Sequence, residues 1–476
     1  MRSRLACCWI AALLAAGAGL SGCGDDPENA STRPFLTSSG ERPSADEPLH
    51  TPNVLILTID TLRADHLGAH GYVRETSPRL DRLAEESIVF ERAYAPIATT
   101  LPSHTSMFTG VAPHEHGVLA NIADGMTYQR DPELETLAEF FSRAGYDARA
   151  VVSAFPLIDS FGLATGFQSY SQPQRKQRGA KAATNAAIEA LDELSAGNQP
   201  GLLWVHYFDP HVPYHPPEAY RDRFQLTTSE HDALLARGFV ESAQRRTGEW
   251  SDLAESIDLY DEEIAFVDDQ IERLLAHGEE LGWLKDAIIV VMADHGEGLN
   301  QHGMPGHGFV WAEQLQVPMW FRAPGHEPRR MTDPVSLVDF APTLLHLVEL
   351  PNEAAFLEQM SGVDRLDPTI HHGDARLLGQ SSPLQSVDGG IHYTLQAAHW
   401  RLHLAPDGRR QLFDLRSDPD EVTDVSAMET TVTDRLEAEL LELLARQRRA
   451  VRTQTTSDAV REDLRALGYG GEDPGK

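Results

Sequence analysis

The sequence predicts an α/β fold in which helices cover both faces of a large, mostly parallel sheet. Two apolar runs carry this prediction, PNVLILTID at residues 52–60 and DAIIVVMAD at residues 286–294. Continuous runs of Val, Ile and Leu are typical of parallel strands that are buried on both faces. Helical patterns alternate with apolar runs between these two segments, and such alternation is typical of a sheet sandwiched between helices.

The predicted elements follow one another from residue 53 onward. A Ser-Pro start signal at residues 77–78 opens the first helix, and helical spacing of apolar residues marks the others. Strands are expected at 53–59, 147–153 and 202–208, helices at 79–86, 133–144, 180–195 and 257–275, and a sheet–helix unit at 335–350. The polar stretch at 218–255 is expected to be an irregular insertion.

The C-terminal part of the chain has a different pattern. After a probable connection at 353–372, short alternating segments at 392–395, 400–404 and 411–415 predict antiparallel strands. Leucines at helical spacing predict a helix at 433–446. We therefore expect a main domain at 51–352, followed at 353–476 by the connection and a small C-terminal subdomain.

Charge and cysteine content exclude several functions. The chain has 476 residues, with 40 Lys and Arg against 72 Asp and Glu, so its formal net charge is −32. Such an acidic surface repels nucleic acid, which we do not expect as a partner. The three cysteines are Cys7, Cys8 and Cys23. Residues 51–476 therefore contain no disulfide framework, no cysteine zinc site and no cysteine nucleophile.

The N-terminus has the features of a targeting segment. Two arginines precede an apolar stretch at 5–20, which is short for a membrane span. The following Leu-Ser-Gly-Cys23 resembles a bacterial lipobox. We expect a lipoprotein signal peptide at 1–22, a lipidated Cys23 and a disordered tether at 23–50, with the body anchored to a bacterial membrane facing the periplasm or the cell exterior. An ordinary secretory signal and an uncleaved anchor are the alternatives.

The segment ATTLPSHTSMFTG at residues 98–110 predicts a loop followed by a short helix. Pro102 suits the first helical position, and Gly110 suits the left-handed residue after the last turn. Thr100 and its neighbouring hydroxyls then lie at the positive end of the helix dipole, where a hydroxyl could ionise and attack. The alternative is a capped helix with spare hydroxyl groups.

Both apolar runs end in a carboxylate, Asp60 after the first and Asp294 followed by His295 after the second. Open parallel sheets bind ligands at the carboxyl ends of their strands. Oxygen and nitrogen donors there suit a divalent cation. The alternative is that each aspartate caps a loop.

Together, these segments make the chain resemble the sulfatase family of the alkaline phosphatase superfamily. The resemblance covers residues 53–318 well and residues 412–469 more weakly. Its matching segments are NVLILTIDTLRADHLGAHGY, TSPRLDRLAEESIVFERAYA, TTLPSHTSMFTG, WVHYFDPHVPY and VVMADHGEGLNQHG, with QLFDLRSDPDEVTDVS and LRALGYG near the end. It implies a three-layer αβα sandwich around a large mostly parallel sheet, with a small C-terminal subdomain of antiparallel sheet plus helix, and a sulfatase-like catalytic domain at 51–352.

The resemblance also implies a metal site with one ion (Ca, Mg, Mn or Zn) and a nucleophile. Its ligands correspond to Asp60, Asp294, His295 and Thr100, and Thr100 also occupies the nucleophile position. Four positions depart from the family pattern, the first being the nucleophile position, where the family usually has cysteine or serine and this chain has Thr100. The second aspartate of the metal-binding pair is Thr61, the arginine after the nucleophile is His104, and the late lysine is His307.

The implied activity is metal-dependent hydrolysis of an anionic ester. Resemblance favours a sulfuric ester, but threonine is a secondary alcohol and cannot become the formylglycine aldehyde of sulfatases. The alternatives are a phosphomonoesterase, a phosphodiesterase or a phosphoryl transferase of the superfamily, and a catalytically inactive binding lipoprotein. The expected substrate is a sulfated or phosphorylated small molecule or glycan.

The expected catalytic residues are Thr100, His104, His211 and His307. His211 matches the family histidine that contacts the oxyanion or protonates the leaving oxygen. A second ion could be held by Asp209, His211, His215 and His307. Four other histidines flank the motifs. They are expected to be structural or to contact the site residues without contacting the substrate, and they are His66, His70, His114 and His116.

Overall fold

The computed structural model describes residues 51–455 apart from gaps at 124–125, 174–176, 246–247, 352, 371–372, 374, 384–389 and 447–448. Within these residues the strands are β1 (Val54–Ile59), β2 (Ile88–Phe90), β3 (Ala93–Tyr94), β4 (Ile122–Ala123), β5 (Met126–Gln129), β6 (Asp147–Val151), β7 (Ser169–Ser171), β8 (Gly201–Tyr207), β9 (Ser242–Gln244), β10 (Trp250–Asp252), β11 (Ile288–Ala293), β12 (Gln316–Val317), β13 (Met319–Arg322), β14 (Arg329–Met331), β15 (Val335–Ser336), β16 (Arg376–Gln380), β17 (Tyr393–Ala397), β18 (Trp400–Leu404), β19 (Arg410–Asp414) and β20 (Arg452–Thr455).

The α-helices of the same residues are α1 (Pro78–Glu85), α2 (Thr100–Thr109), α3 (Pro113–His116), α4 (Leu137–Arg143), α5 (Ala180–Ala196), α6 (Thr228–Ala236), α7 (Leu253–Glu280), α8 (Ala312–Leu315), α9 (Phe340–Val348), α10 (Ala354–Glu358) and α11 (Thr430–Leu444). Short 3₁₀ turns lie between them.

The two apolar runs of the sequence are neighbouring strands at the centre of the main sheet. Its order is β14-β2-β13-β11-β1-β8-β6-β7. Pairing is parallel from β11 through β1, β8 and β6 to β7, whereas β13 runs antiparallel to both of its neighbours. Every residue of β1, β8 and β11 is buried, as continuous apolar runs predict. The predicted mostly parallel sheet is confirmed.

Two groups of helices pack around this sheet. Helix α5 contacts α7, β8 and β6, and α1 contacts α7. In the second group, α2 contacts α4 and α9, and α4 packs against β6. The three-layer αβα sandwich expected from the sequence is therefore confirmed.

The C-terminal strands β16, β17, β18 and β19 form an antiparallel meander covered by α11. This unit has its own small core of leucines from the sheet and the helix, including Leu395, Leu402, Leu412, Leu436 and Leu440. The predicted C-terminal sheet-plus-helix unit is confirmed. The domain boundary at 352–353 stays a prediction, since the described residues from Thr51 onward form one compact unit.

The prediction of an irregular insertion at 218–255 is wrong in part, because this stretch contains α6 and the β9–β10 hairpin. Helix α6 starts with a capping box, in which Thr227 and Glu230 bond each other's backbone N–H groups. The same device at Thr136 and Glu139 starts α4 at Leu137, later than predicted. Both signals are present in the sequence as a threonine followed three residues later by a glutamate.

The predicted signal peptide at 1–22, lipidated Cys23 and tether at 23–50 lie outside the described residues, as does the LRALGYG segment. Among the described residues, no helix has the length and apolar character needed to cross a membrane.

Candidate metal centre and active site

The strand ends bring the predicted metal ligands together. Strands β1 and β11 are paired in parallel with Ile59 opposite Ala293, so the residues that follow them, Asp60 and Asp294, lie side by side. His295 Nε2 lies 3.7 Å from Asp60 Oδ1 and 3.5 Å from Asp294 Oδ2. One donor atom from each of the three side chains lies within 4.8 Å of the other two, a spacing that fits a single ion.

The tautomer of His295 is set by its backbone neighbour. Its Nδ1 lies 3.0 Å from the Gly296 carbonyl oxygen, which can only accept, so Nδ1 carries the proton. The lone pair on Nε2 then faces Asp60 and Asp294. This is the arrangement in which histidine binds a metal, with one nitrogen held by a hydrogen bond and the other unprotonated.

Several buried polar atoms of this cluster lack hydrogen-bond partners among the described residues. They are both Asp60 carboxylate oxygens, Asp294 Oδ2 and His295 Nε2, and the buried Thr100 Oγ1 on α2 likewise has none. Burial and the neighbouring Asp294 carboxylate raise the pKa of Asp60 well above its usual value. Because orphaned buried polar groups are costly, and a bound cation favours ionised carboxylates, this donor set fits a divalent ion.

The first turn of α2, which begins at Thr100, contacts the end of β11. Thr99 is the N-cap residue with extended backbone, and Gly110 ends the helix at φ 68° as predicted. The prediction that Pro102 is the first helical residue is wrong, since the helix begins two residues earlier at Thr100. Ser103 Oγ donates a 2.6 Å hydrogen bond to the Asp294 carbonyl oxygen, which ties the first turn of α2 to the end of β11.

His104 contacts the backbone of the nucleophile position. Its Nδ1 donates to the Thr100 carbonyl oxygen at 2.8 Å, so its Nε2 accepts from Thr58 Oγ1 at 3.3 Å. Thr58 Oγ1 in turn accepts from Trp204 Nε1 at 2.9 Å. Burial lowers the pKa of His104 to about 3, so the ring is neutral at pH 7. Both nitrogens of His104 are thus engaged within the protein.

His307 lies on the other side of the cluster, with its ring centroid 4.5 Å from that of His295. Its Nδ1 is 3.5 Å from Glu297 Oε2, and Glu297 is fully buried. Although burial alone would raise the pKa of Glu297, the facing His307 lowers it overall. Glu297 was missed in the sequence analysis, although it lies within the quoted VVMADHGEGLNQHG segment.

Two close backbone approaches explain the glycines of this segment. A Cβ at Gly296 would collide with the Glu313 carbonyl oxygen, and one at Gly298 would collide with the Met304 carbonyl oxygen. The Gly298 N–H donates to the Gly306 carbonyl oxygen at 3.0 Å, which brings the loop that carries His307 against Glu297.

His211 lies beside His307, with ring centroids 5.0 Å apart, and stacks on Phe208. Its Nδ1 donates to the Val212 carbonyl oxygen, so the proton of the neutral ring is on Nδ1. Burial, followed by the neighbouring His307, lowers the pKa of His211 to about 3.

The residues expected to hold a second ion are only partly grouped. Asp209 Oδ2 accepts from the Ala180 N–H at 2.8 Å and so caps α5. His215 is exposed. Among the described residues, the two groups with ligand spacing are Asp60, Asp294 and His295, and His104, His206 and Asp294. Both contain Asp294, so they surround one position rather than two distant ones.

Two of the four motif-flanking histidines have hydrogen-bonding side-chain partners. His66 Nδ1 lies 2.7 Å from Asp261 Oδ1, and His116 Nε2 lies 3.0 Å from Ser106 Oγ.

A positive side chain near the site was also missed from the sequence. Arg245 follows β9, and its guanidinium lies 5.6 Å from the centre of the Tyr214 ring. It donates to the Pro305 carbonyl oxygen at 3.0 Å, and its charge contributes to the lowered pKa of Glu297. Arg245 lies far in sequence from the motif segments, so its approach to the site could not be predicted from motif spacing.

Known proteins resemble this chain in sequence and in fold. The sulfatase family profile matches residues 52–350 of the chain. The chain belongs to the sulfatase family. An arylsulfatase of Clostridium perfringens is 22% identical over 445 residues, which cover 79% of this chain and 90% of the relative.

Solved structures with the same fold have sequence identities of about a fifth. The phosphonate monoester hydrolase of Agrobacterium radiobacter aligns with a TM-score of 0.65 and 21% identity, covering 85% of this chain and 97% of the other. Ps i-CgsB, solved in complex with k-i-k-neocarrahexaose, aligns with a TM-score of 0.68 and 17% identity, covering 88% and 98%. The sulfatase-family chain is an ester-hydrolysing enzyme.

Proposed function

We propose that this sulfatase-family enzyme is a metal-dependent hydrolase of an anionic ester that uses unmodified Thr100 as its nucleophile. The observation that carries the proposal is the buried donor cluster of Asp60, Asp294 and His295, which lies next to the first turn of α2. The buried Thr100 hydroxyl in that turn has no hydrogen-bond partner among the described residues. A divalent ion held by these residues would polarise the ester and lower the pKa of the Thr100 hydroxyl. An inactive binding protein has no need of such a donor set.

Three histidines near the cluster have different roles in this proposal. His104 fixes the first turn of α2 through the Thr100 carbonyl and acts as a positioning residue. His307 protonates the leaving oxygen, because Glu297 orients its Nδ1 and leaves Nε2 for the substrate. His211, whose proton is committed to the Val212 carbonyl, packs beside His307 and shapes that side of the site.

Threonine favours phosphorus over sulfur as the reacting atom. A formylglycine hydrate has two hydroxyls, one to take the sulfate and one to expel it by collapse to the aldehyde. A sulfated threonine has no second hydroxyl, so water must attack a poorly electrophilic sulfate ester. A phosphorylated threonine can be cleared by water or by an acceptor alcohol, which regenerates the hydroxyl and releases phosphate or a new ester.

The substrate class follows from this chemistry and from the relatives. We propose a phosphorylated or sulfated small molecule or glycan, since one structural neighbour was solved with a carrahexaose and another is a phosphonate monoester hydrolase. Export and membrane attachment through lipidated Cys23 stay predictions from the sequence.

The test is a panel of 4-nitrophenyl sulfate, phosphate and phosphodiester assayed with the wild type, Thr100→Ala and Thr100→Ser. We expect the best phosphorus ester to turn over faster than the sulfate. The alanine variant should lose at least about a thousandfold in kcat, as nucleophile deletions do. The serine variant keeps a hydroxyl and should retain most of the activity.

Mass spectrometry of the Thr100 peptide provides the matching structural readout. The peptide should be unmodified at rest and should gain one phosphoryl group in an acid-quenched reaction. A multiple-turnover sulfatase rate far above every phosphoester rate would show that phosphorus is the wrong reacting atom. Full activity in Thr100→Ala would rule out Thr100 as the nucleophile.

A further inference from the structure

His206 is a buried histidine in the middle of β8, next to the proposed metal centre. Its strand pairs in parallel with β1, which places His206 opposite Thr58. Its side chain has no solvent exposure, and Nε2 lies 3.6 Å from Asp60 Oδ2. His295 approaches the other oxygen of the same carboxylate, Oδ1, at 3.7 Å. The two imidazoles therefore flank Asp60.

Neither ring nitrogen of His206 has a hydrogen-bond partner among the described residues. A buried polar group without a partner costs free energy comparable to a lost hydrogen bond, so its retention needs a compensating interaction. His104 belongs to the same cluster, but both of its ring nitrogens are engaged by Thr100 and Thr58. His206 is thus a fourth side chain next to Asp60, Asp294 and His295 that could donate a lone pair to an ion, and its ring nitrogens have no hydrogen-bond partner among the described residues.

Residue 61 explains why the site needs another donor. The position that resemblance assigns to a second metal-binding aspartate is Thr61. Its backbone has φ 56°, a left-handed conformation that is strained for a β-branched residue and better tolerated by aspartate. The Thr61 hydroxyl is buried and has no hydrogen-bond partner within the described part of the chain. The chain therefore keeps the backbone geometry at this position but lacks the carboxylate.

We propose that His206 is an additional ligand of the ion held by Asp60, Asp294 and His295, and that the site consequently selects a transition-metal ion such as Zn²⁺ or Mn²⁺ over Ca²⁺. Carboxylate-only sites suit hard cations, whereas imidazole ligands shift the preference toward Zn²⁺ and its neighbours. The inference rests on the proposed function, which requires an ion at this site.

The first experiment compares metal binding by the full chain in the wild type, His206→Asn and Asp294→Asn. Metal-free protein is titrated with Zn²⁺, Mn²⁺ and Ca²⁺ by calorimetry, and bound metal is measured by mass spectrometry after dialysis. We expect the wild type to hold one transition-metal ion and to prefer it over Ca²⁺. His206→Asn should weaken Zn²⁺ affinity at least tenfold while changing Ca²⁺ affinity less.

A rescue variant and a matched control test whether the loss of Zn²⁺ affinity is specific to His206. His206→Asn combined with Thr61→Asp should regain an ion and prefer Ca²⁺, because a carboxylate then replaces the imidazole. His116→Asn removes another buried histidine, one that contacts Ser106 away from Asp60, and should keep wild-type Zn²⁺ affinity. Unchanged Zn²⁺ affinity in His206→Asn would overturn the inference.

A measurement on the wild type alone covers the case in which His206→Asn does not fold. The Co²⁺-loaded protein should show proton NMR resonances shifted by the ion from two coordinated imidazoles. A single imidazole would overturn the role of His206 and leave the proposed function intact. If the wild type binds none of these ions, the proposed function itself fails.

Discussion

Glu297 and His307 illustrate how single residues divide the proposed chemistry. Glu297 is buried, and its Oε2 lies 3.5 Å from His307 Nδ1, so the carboxylate orients the ring. A general acid matters most when the leaving group is a poor one. A nitrophenolate leaves without help, whereas an alkoxide needs the proton.

This division predicts a dependence on the leaving group. His307→Asn should slow hydrolysis of an alkyl ester by about 10²–10⁴-fold, which is the usual effect of losing a general acid. The rate of hydrolysis of the nitrophenyl ester should change much less. Glu297→Gln should show the same pattern with a smaller loss. The exposed His215→Asn serves as a control and should behave as the wild type. An equal loss on both esters would contradict acid catalysis by His307.

The residues predicted from sequence and those missed differ in one physical respect. Asp60 and Asp294 end apolar runs, and the carboxyl ends of parallel strands meet at one edge, so their convergence follows from local sequence. His206 lies inside a strand at a position where its neighbours are apolar. Only the register of β8 against β1 brings it to Asp60, and single-strand periodicity contains no information about register.

At the scale of elements, the β9–β10 hairpin brings a cation to the site. Arg245 follows β9, donates to the Pro305 carbonyl oxygen and lies near Glu297 and Tyr214. The chain has no lysine where the family has one, because that position is His307. The hairpin and α6 lie in a stretch that was expected to be irregular, so the position of Arg245 could not be predicted from the sequence.

We expect Arg245 to bind the anionic group of the substrate. Arg245→Gln should raise KM about tenfold with a smaller change in kcat, which corresponds to about 1.4 kcal/mol of binding. Arg221→Gln, in the same stretch but hydrogen-bonded to the Pro216 carbonyl oxygen, is the matched control and should keep the wild-type KM. A fall in kcat with unchanged KM would argue against a binding role.

Two helices begin at residues other than those predicted from the sequence, and each difference has a local cause. Helix α7 extends from Leu253 to Glu280, further than its apolar stripe predicts, because Asp252 caps its first turn through the Glu255 N–H. Helix α2 starts at Thr100 rather than Pro102, because Thr99 provides the extended N-cap backbone and the Thr99 carbonyl already accepts from the Ser103 N–H. Apolar spacing predicted α7, and the Pro102 and Gly110 signals predicted α2, while capping set where both helices begin.

At the scale of the whole molecule, a buried ionic cluster joins the C-terminal sheet to the loop that follows β11. Arg401 of β18 pairs with Glu421 at 3.0 Å, and both are fully buried. His302 stacks on Trp311 with ring centroids 4.0 Å apart, and its Nδ1 lies 3.3 Å from Glu313 Oε1. Glu421 Oε2 also accepts from the Ala312 N–H at 2.8 Å, which links the sheet-plus-helix unit to the segment that follows the candidate metal centre.

This cluster predicts a pH dependence of stability. Burial alone would lower the pKa of His302, but the hydrogen bond and charge of Glu313, followed by the charge of Glu421, raise it overall above its ordinary value of 6.5. The protonated ring is therefore favoured in the folded state. Its stabilising contribution is fully present below the unfolded-state pKa near 6.5 and is lost as the pH rises through the folded-state pKa.

The prediction is tested with His302→Asn, because asparagine tolerates the positive backbone φ of 52° at this position. The difference in unfolding midpoint between wild type and variant should be larger at pH 6 than at pH 9. Nearby charges from Glu313, Glu421, Arg401 and His403 are the same in both proteins, so their own effects largely cancel in this comparison. His326→Asn, on an exposed loop, should show no such difference at either pH. A difference that grows with pH would mean that the neutral ring is the stabilising form, and that burial outweighs Glu313.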